Sequence, residues 1–550
     1  MKYTALTIGP IYKTLQSVKS TKAIWSASYM FSYLIKEIIK KLQNDSDSLE
    51  IILPSFEIEI NGKPVSPLHE NFQTGLFPDR IIYKTEKDIH IQNIIDEVIN
   101  EFADKVNNDI KVDEDKLHAY LKNYINCYHL SIGLDEKSNV ILEINNILDS
   151  LELQQRVIED AEKDYLNAFF ERIKPYNFLI KEEFEERPFP STIEITTSEF
   201  SENEEYKKTL KILKERDNEE SQANFVKEIK AIVNDNFRNY QKYIAVVQAD
   251  GDNIGSFIKA LYEQDNKEKL IKRFSNNLLA FAIEAVELIK KYNGTPIYAG
   301  GDDLLYFMPV AQLNIESNTP FNVTVFNLIT QIDNLFKKYF TEYNKDAVDF
   351  KSLIQAVKKK PSMSYGISIS YYKFPLNQAL AEGVNQLFYT AKKTTKKNAV
   401  SYSVLKHSGQ HFGATFHKDD SSFTTFTGLI NTKFEIEEFI KSIIQKLDPQ
   451  RSVLMAIGEK SEVERENMID NFFDNNFNEG IHTVKNSDGT KELIPFLQGA
   501  KKLIKNVYSE NSLEDVIDDE LKKTENDKNI KKIYSALRFI EFIHNKEERE

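Results

Sequence analysis

Apolar residues recur along this chain at two periods, one near three and a half and one continuous, and the alternation between them lays out its elements. Ile24, Ala27, Phe31, Leu34, Ile35 and Ile38 return every three or four positions, which predicts a helix over 20–42 with one buried stripe. A short strand is expected before it and another at 49–53. Helical spacing predominates from 87 to about 176, with Lys, Glu and Asp set between Leu, Ile and Phe. The Pro-bearing Glu186-Arg-Pro-Phe-Pro190, a strand-like 191–197 and a charged segment to 236 then join the two halves. Tyr243-Ile-Ala-Val-Val-Gln-Ala-Asp250 is apolar almost without a break, the signature of a strand buried on both faces. Helical patterns at 266–291 and 321–340, a glycine hairpin between them and a strand at 362–370 complete the order βαββαβ, the ferredoxin-like or palm arrangement. A helix over 375–397 follows, with Leu376, Ala379, Leu380, Val384, Leu387, Phe388 and Ala391 inward, and 421–550 is again helical, with breaks expected near Pro449, over 476–490 and over 523–529.

Composition adds limits to this plan. With 550 residues, 41% apolar and 28% charged, the chain is long enough for three or four domains with cores of their own. No run approaches the roughly 20 apolar residues of a membrane span, and the first residues lack a secretory pattern, so a cytoplasmic protein with no membrane contact is expected. Cys127 is the single cysteine, which rules out an intramolecular disulfide and a cysteine-based zinc ribbon. His118, Cys127 and His129 lack a fourth ligand at compatible spacing, so ordinary packing or surface positions are expected for them and no zinc. A net charge of −14 argues against a protein that grips bare nucleic acid over its whole surface; RNA contacts would run through local basic patches or partner subunits.

Candidate chemistry sits where the second βαββαβ unit turns. In Thr295-Pro-Ile-Tyr-Ala-Gly-Gly-Asp-Asp-Leu-Leu-Tyr-Phe-Met308, two apolar runs flank Gly300-Gly301-Asp302-Asp303, the pattern of a tight hairpin. Gly and Asp are also the favoured residues of a plain solvated turn, so the tetrad alone leaves that reading open beside a metal-bound polyphosphate. The apolar strand at 243–250 ends in Asp250-Gly-Asp-Asn-Ile-Gly255. An EF-hand loop is rejected there, because Ile254 and Leu261 fall where oxygen ligands are required. In a palm the strand ending at Asp250 lies beside the hairpin, so Asp250, Asp302 and Asp303 can meet across strands about 5 Å apart. Three carboxylates at one corner can hold two Mg²⁺ ions, clamp a triphosphate and lower the pKa of an attacking hydroxyl. The N–H groups of Gly251 to Ser256, opening a helix, would face phosphate oxygens.

These phrases, with Leu387-Phe-Tyr-Thr-Ala-Lys392 and Lys397-Asn-Ala399, resemble the cyclase palm of the large subunit of type III CRISPR effector complexes. Leu6-Thr-Ile-Gly-Pro-Ile11, the stretch Ser20-Thr-Lys-Ala-Ile-Trp-Ser-Ala-Ser-Tyr-Met-Phe-Ser-Tyr-Leu34 and Gly75-Leu-Phe-Pro-Asp-Arg80 resemble the first palm of its III-B (Cmr) branch. The resemblance implies an α+β protein of two ferredoxin-like palms with helical insertions and a C-terminal helical bundle. Its expected domains are 1–86 (first palm, part), 87–185 (helical insertion), 186–240 (completion of the first palm and linker), 241–420 (second palm) and 421–550 (bundle). It implies a Mg²⁺- or Mn²⁺-dependent nucleotidyltransferase that joins ATP into cyclic oligoadenylate once guide RNA pairs with a target transcript. Asp250, Asp302 and Asp303 would be catalytic and metal-holding, with Gly251, Asp252, Asn253, Gly255, Gly300, Gly301 and Lys392 at the nucleotide. Implied partners are CRISPR RNA, target RNA and the other III-B subunits.

Ser26 and Ser28 resemble small polar residues lining the facing nucleotide site, whereas Trp25 is expected in the core. No histidine is followed by aspartate, so the His-Asp nuclease domain of many relatives, and DNA cleavage by this subunit, are not expected. Three alternatives stand beside this reading: AMP transfer from ATP to S-adenosylmethionine, a catalytically silent scaffold, and a stand-alone diguanylate-cyclase-like enzyme. Continuation of the tetrad as Asp303-Leu304 instead of Glu-Phe speaks against the last.

Overall fold

The computed structural model describes residues 2–545 apart from 46–48, 57, 61, 71, 87–88, 136–137, 155–163, 173–177, 180–188, 217–225, 233–236, 314–320, 341–349, 351–352, 354–356, 358, 433–436, 478–492, 515 and 517. Residues 186–188 of the expected linker therefore lie outside the described residues.

The first half is built on a four-stranded antiparallel sheet. Its strands are β1 (Lys2–Gly9), β2 (Glu50–Leu53), β5 (Arg80–Lys84) and β6 (Asn126–Gly133), in the spatial order β2-β5-β1-β6; β3 (Ile58–Ile60) and β4 (Lys63–Val65) form a separate hairpin. The helix Thr21–Asp45 buries the stripe expected of it, including Ile24, Ala27, Phe31, Leu34, Ile35 and Ile38. The interval 87–185 is not helical throughout. After the helices Ile91–Ile110 and Glu114–Tyr124 it supplies β6, which pairs with β1 along its whole length. The first palm is thus closed by residues 126–133, before the stretch 186–240 that was expected to complete it. β6 is an edge strand with only one fully buried side chain, Cys127, so it lacks the apolar alternation that would have marked it.

The second half repeats the plan. β7 (Tyr243–Asp252), β8 (Thr295–Gly300), β9 (Asp303–Pro309) and β12 (Ser362–Tyr371) take the order β12-β7-β9-β8, which is the same permutation as β6-β1-β5-β2. β13 (Ala399–Leu405) adds in parallel to β12, and β14 (His411–His417) pairs antiparallel with β13 at the edge. β7 is buried on both faces, as its sequence implied. Tyr243, Ala245, Val247 and Ala249 pack with the helices Ile254–Tyr262, Lys267–Lys291 and Val325–Phe340, while Ile244 and Val246 pack toward the first palm. The two palms therefore share a core.

Three local expectations give way to tertiary context. Thr192–Thr196, rich in β-branched residues and read as a strand, is one helical turn fixed by a capping box between Ser191 and Glu194. The helix expected over 321–340 begins at Val325, because Phe321–Thr324 is β11, paired with β10 (Ala311–Leu313). The helix expected over 375–397 is Leu376–Val384, continued by a π-helical turn Asn385–Thr390 and a short 3₁₀ turn ending at Lys393. Helices from Ser421–Ile430 to Asp519–His544 form the C-terminal part, and His544 lies against Ile430 and Phe321. Among the described residues no helix is long and apolar enough to cross a membrane.

Candidate active site

β8 and β9 pair up to Gly300 and Asp303, leaving Gly301 and Asp302 as a two-residue turn. Gly301 has a φ of 71°, a conformation that a side chain would strain. The β7–β9 register runs to Ala249 opposite Leu304, so the next positions are Asp250 and Asp303 on neighbouring strands. They share the face that carries Gln248 and Leu305, since side chains alternate along a strand. Asp302 reaches the same corner from the turn. A Cβ at Gly251 would stand 2.8 Å from the Asp302 Cβ and overlap its carboxylate, so the bare Gly251 backbone is what lets that carboxylate settle against it. Gly300 has a different use, because a Cβ there would overlap the Tyr298 hydroxyl and the ring carbon that bears it.

The corner is electrostatically frustrated. Burial, then the Asp250 charge, holds the Asp302 carboxyl up at about 6, even though the Gly251 N–H favours its ionised form. Asp303 reaches solvent through the cleft but is densely surrounded by protein on its other sides. That desolvation, then Asp302, Asp250 and Asp79, pushes it well above the ordinary carboxylate range. Burial also raises Asp250, against the pull of Lys392, whose Nζ lies 2.5 Å from Asp250 Oδ2 and donates to the Gly251 carbonyl at 2.9 Å. Three acids that hinder one another's ionisation with one cation among them leave room for more positive charge.

The remaining sequence candidates separate. Lys392 is at the corner, as expected. Asp252 is not open to a ligand: fully buried, its Oδ2 accepts from Ser364 Oγ (2.7 Å), Asn398 N (2.9 Å) and Ser362 Oγ (3.1 Å). Its expected contact with nucleotide is corrected accordingly, since strand pairing seats it between β12 and the entry to β13. Asn253, with φ 63°, precedes the helix Ile254–Tyr262 and donates to the Lys360 carbonyl at 3.0 Å, and Gly255 falls in that helix's first turn. Trp25 is core, 1% exposed, stacked on Tyr29 and bonded to the Gln73 carbonyl. Ser26 and Ser28 are buried, and Ser28 Oγ donates to the Ile297 carbonyl of the other palm at 3.3 Å. His118 turns to Asp104 at 2.8 Å.

Two cavities meet at Asp303 and Tyr298. One, ≈ 240 Å³, lies between the palms and joins Asp302 and Asp303 to apolar walls from Leu76, Ile254 and Ile258. The other, ≈ 200 Å³, is bounded by Tyr12 of the first palm and Phe388 of the π-helical turn. Asp79 lines the first cavity, and burial raises its carboxyl to about 6. Sequence reasoning passed over Asp79, although Leu-Phe-Pro-Asp-Arg80 had been singled out as a phrase; a lone acid before arginine carries no spacing signal of its own.

Two family models match the chain. The one described as Cas10/Cmr2, second palm domain, covers residues 243–401, and the one described as CRISPR-associated protein Cmr2, N-terminal, covers residues 3–111. A CRISPR system Cmr subunit Cmr2 from Pyrococcus furiosus is 28% identical over 229 residues, 37% of this chain; the match takes in only 23% of that relative's length. Among solved structures, a chain from type III-B Cmr-beta bound to cognate target RNA aligns over 91% of this chain and 82% of its own length, at 12% identity and a TM-score of 0.52. A Csm1–Csm4 cassette in complex with cA4 aligns over 92% and 69%, at 11% identity and a TM-score of 0.47. Fold and corner together define a protein of two palms whose second palm carries the acidic hairpin. Residues 243–401 thus match a Cas10/Cmr2 second palm domain and residues 3–111 a Cmr2 N-terminal domain.

Proposed function

We propose that this chain is the large subunit of a type III-B CRISPR RNA-guided effector complex, and that its second palm transfers AMP from ATP to a 3′-hydroxyl, which loses its proton as pyrophosphate leaves, to build cyclic oligoadenylate when guide and target RNA pair. The observation that carries the reading is the corner where Asp250, Asp302 and Asp303 crowd beside Lys392 within a Cas10/Cmr2-type palm. That donor set fits divalent cations, because hard oxygen ligands that resist ionising together are relieved by added positive charge. Mg²⁺ or Mn²⁺, when bound, would neutralise phosphate charge and lower the pKa of the attacking hydroxyl. Asp250, Asp302 and Asp303 would hold it.

The chain's own contribution is placement. Gly251 fixes the Asp302 carboxylate by leaving it space and donating its N–H. Lys392 can swing from Asp250 to a phosphate oxygen, since its ammonium is a point charge on a flexible stem. The inter-palm cavity offers a base apolar walls beside its acidic end. Orientation of the two reactants contributes several kcal/mol to such a step.

The setting comes by analogy with relatives: the Pyrococcus furiosus protein is a Cmr subunit, and the Cmr-beta complex binds cognate target RNA. Other effector subunits, CRISPR RNA and target RNA are the proposed partners here, and a net charge of −14 suits RNA contact through those subunits. The test is to incubate the assembled complex with target RNA, labelled ATP and S-adenosylmethionine and to weigh the product. Cyclic oligoadenylate supports the reading, and a conjugate with S-adenosylmethionine would move the acceptor to that molecule. No product would leave a scaffold.

A further inference from the structure

We infer that Asp252 is a positioning residue that sets where Lys392 stands, without itself touching metal or nucleotide. The inference rests on the proposed nucleotide-transfer reading for the role of Lys392. Three consecutive residues at the end of β7 grip the segment that carries this lysine. Asp250 Oδ2 and the Gly251 carbonyl take the Lys392 ammonium, at 2.5 and 2.9 Å. Asp252 Oδ2 takes the backbone N–H of Asn398 at 2.9 Å, six residues further along.

Between those two grips the chain leaves its π-helical and 3₁₀ turns and passes through Lys397 and Asn398, with φ of 54° and 49°. Two successive non-glycine residues in the left-handed region persist only where surrounding bonds over-determine them. Those bonds are present: Asn398 N to Asp252, Asn398 Nδ2 to Asp419 at 2.7 Å, Lys418 N to the Asn398 carbonyl at 3.0 Å, and the Lys397 carbonyl to His417 Nδ1 at 2.8 Å. Asp252 is the one among them that also binds β12, through Ser364 and Ser362. Being part of β7, it ties the lysine segment to the strand that carries Asp250. β13 stays on β12 without that tie, since Ala399 N also donates to Ser364 Oγ at 3.3 Å; what loosens is the left-handed bend at Lys397 and Asn398, and with it the range of positions open to the Lys392 ammonium.

The requirement is for an acceptor oxygen more than for a charge. Oδ2 meets all three donors and Oδ1 meets none, so Asp252→Asn can keep the three bonds with its amide oxygen, whereas Asp252→Ala loses them.

The test is a double-mutant cycle in the assembled, target-activated complex, reading both the affinity for a non-hydrolysable ATP analogue and the turnover of ATP. Asp252→Ala is expected to weaken analogue binding about tenfold in the wild-type background and by less than about twofold in Lys392→Met, and Asp252→Asn to restore it. Equal losses in both backgrounds would overturn the inference by showing that Asp252 acts on general stability. Abolition of turnover by Asp252→Asn, as deep as that of Asp302→Ala, would also overturn it by making Asp252 a ligand. If the wild-type complex neither binds the analogue nor consumes ATP, the nucleotide-transfer reading itself fails, which is separable from additivity in an active complex.

Discussion

The two palms share one strand permutation and differ at one corner. In the first, β1 ends in Gly9-Pro10, and residues 54–79 separate β2 from β5. In the second, β7 ends in Asp250-Gly-Asp252, and two residues separate β8 from β9. The end of β1 carries no carboxylate and no tight turn leads into β5, so Asp79, just before β5, stands alone; in the second palm the end of β7 and the two-residue turn bring three acids together. The shared fold supplies the positions, and a few residues decide whether those positions do chemistry. The first palm still serves the second by closing the cavity beside Asp302 and Asp303 with Leu76, Pro78 and Asp79.

If the asymmetry is chemical, the largest effect belongs to the hairpin. Asp302→Ala/Asp303→Ala is expected to cut ATP turnover by at least about 100-fold while the complex still assembles, as checked by gel filtration and product assay. Unchanged synthesis would overturn the carboxylate assignment. Next comes Gly251→Ala, whose methyl would collide with Asp302. A loss of turnover of about ten- to 100-fold, with a stability loss of ~1–3 kcal/mol from the forced shift, is expected from kinetics and denaturant melts.

Lys392→Met removes the cation from Asp250, and at pH 7 should lower stability by about 1–2 kcal/mol, with a raised KM for ATP. Asp250 then protonates at a higher pH than before, so the deficit is present above that point and shrinks as the pH falls through it. Melting the variant and wild type at pH 5 and pH 7.5 checks the sign.

The smallest effect distinguishes function from fold. Asp302 titrates at about 6 when folded and near ~3.9 when unfolded. The folded chain thus holds an extra proton in that window, and wild-type stability falls as the pH rises through it. Asp302→Asn should therefore stabilise the metal-free chain by on the order of 1 kcal/mol at pH 7.5 and by nothing below about pH 4. A destabilised variant would mean that the acidic corner is not under strain.

Much of this asymmetry was legible in the chain. β7 announced itself because both its faces are buried, and the hairpin because a tight turn with the φ of Gly301 favours glycine. β6 stayed hidden because an edge strand exposes most of its side chains, so its residues carry no period. Thr192–Thr196 misled because its β-branched residues favour a strand, whereas the Ser191–Glu194 box decides the turn. Asp252 looked like a ligand beside Asp250, since sequence shows two acids at alternate positions and not which donors each will meet. The separation is made by Ser362, Ser364 and Asn398, more than a hundred residues away. Lys392 stands out through its motif, whereas its pairing with Asp250 depends on how the π-helical turn folds back onto β7.

Ala299 N–H donates to the Gly75 carbonyl at 2.9 Å, and Gly75 bridges to Tyr298, so the outer hairpin strand is hydrogen-bonded to the first palm. The Asp302 turn begins two residues after that bond. A pull on the loop around Gly75 is thereby transmitted along main chain to the acidic corner, with no flexible side chain in between to absorb it. The seam between the halves works as a tendon.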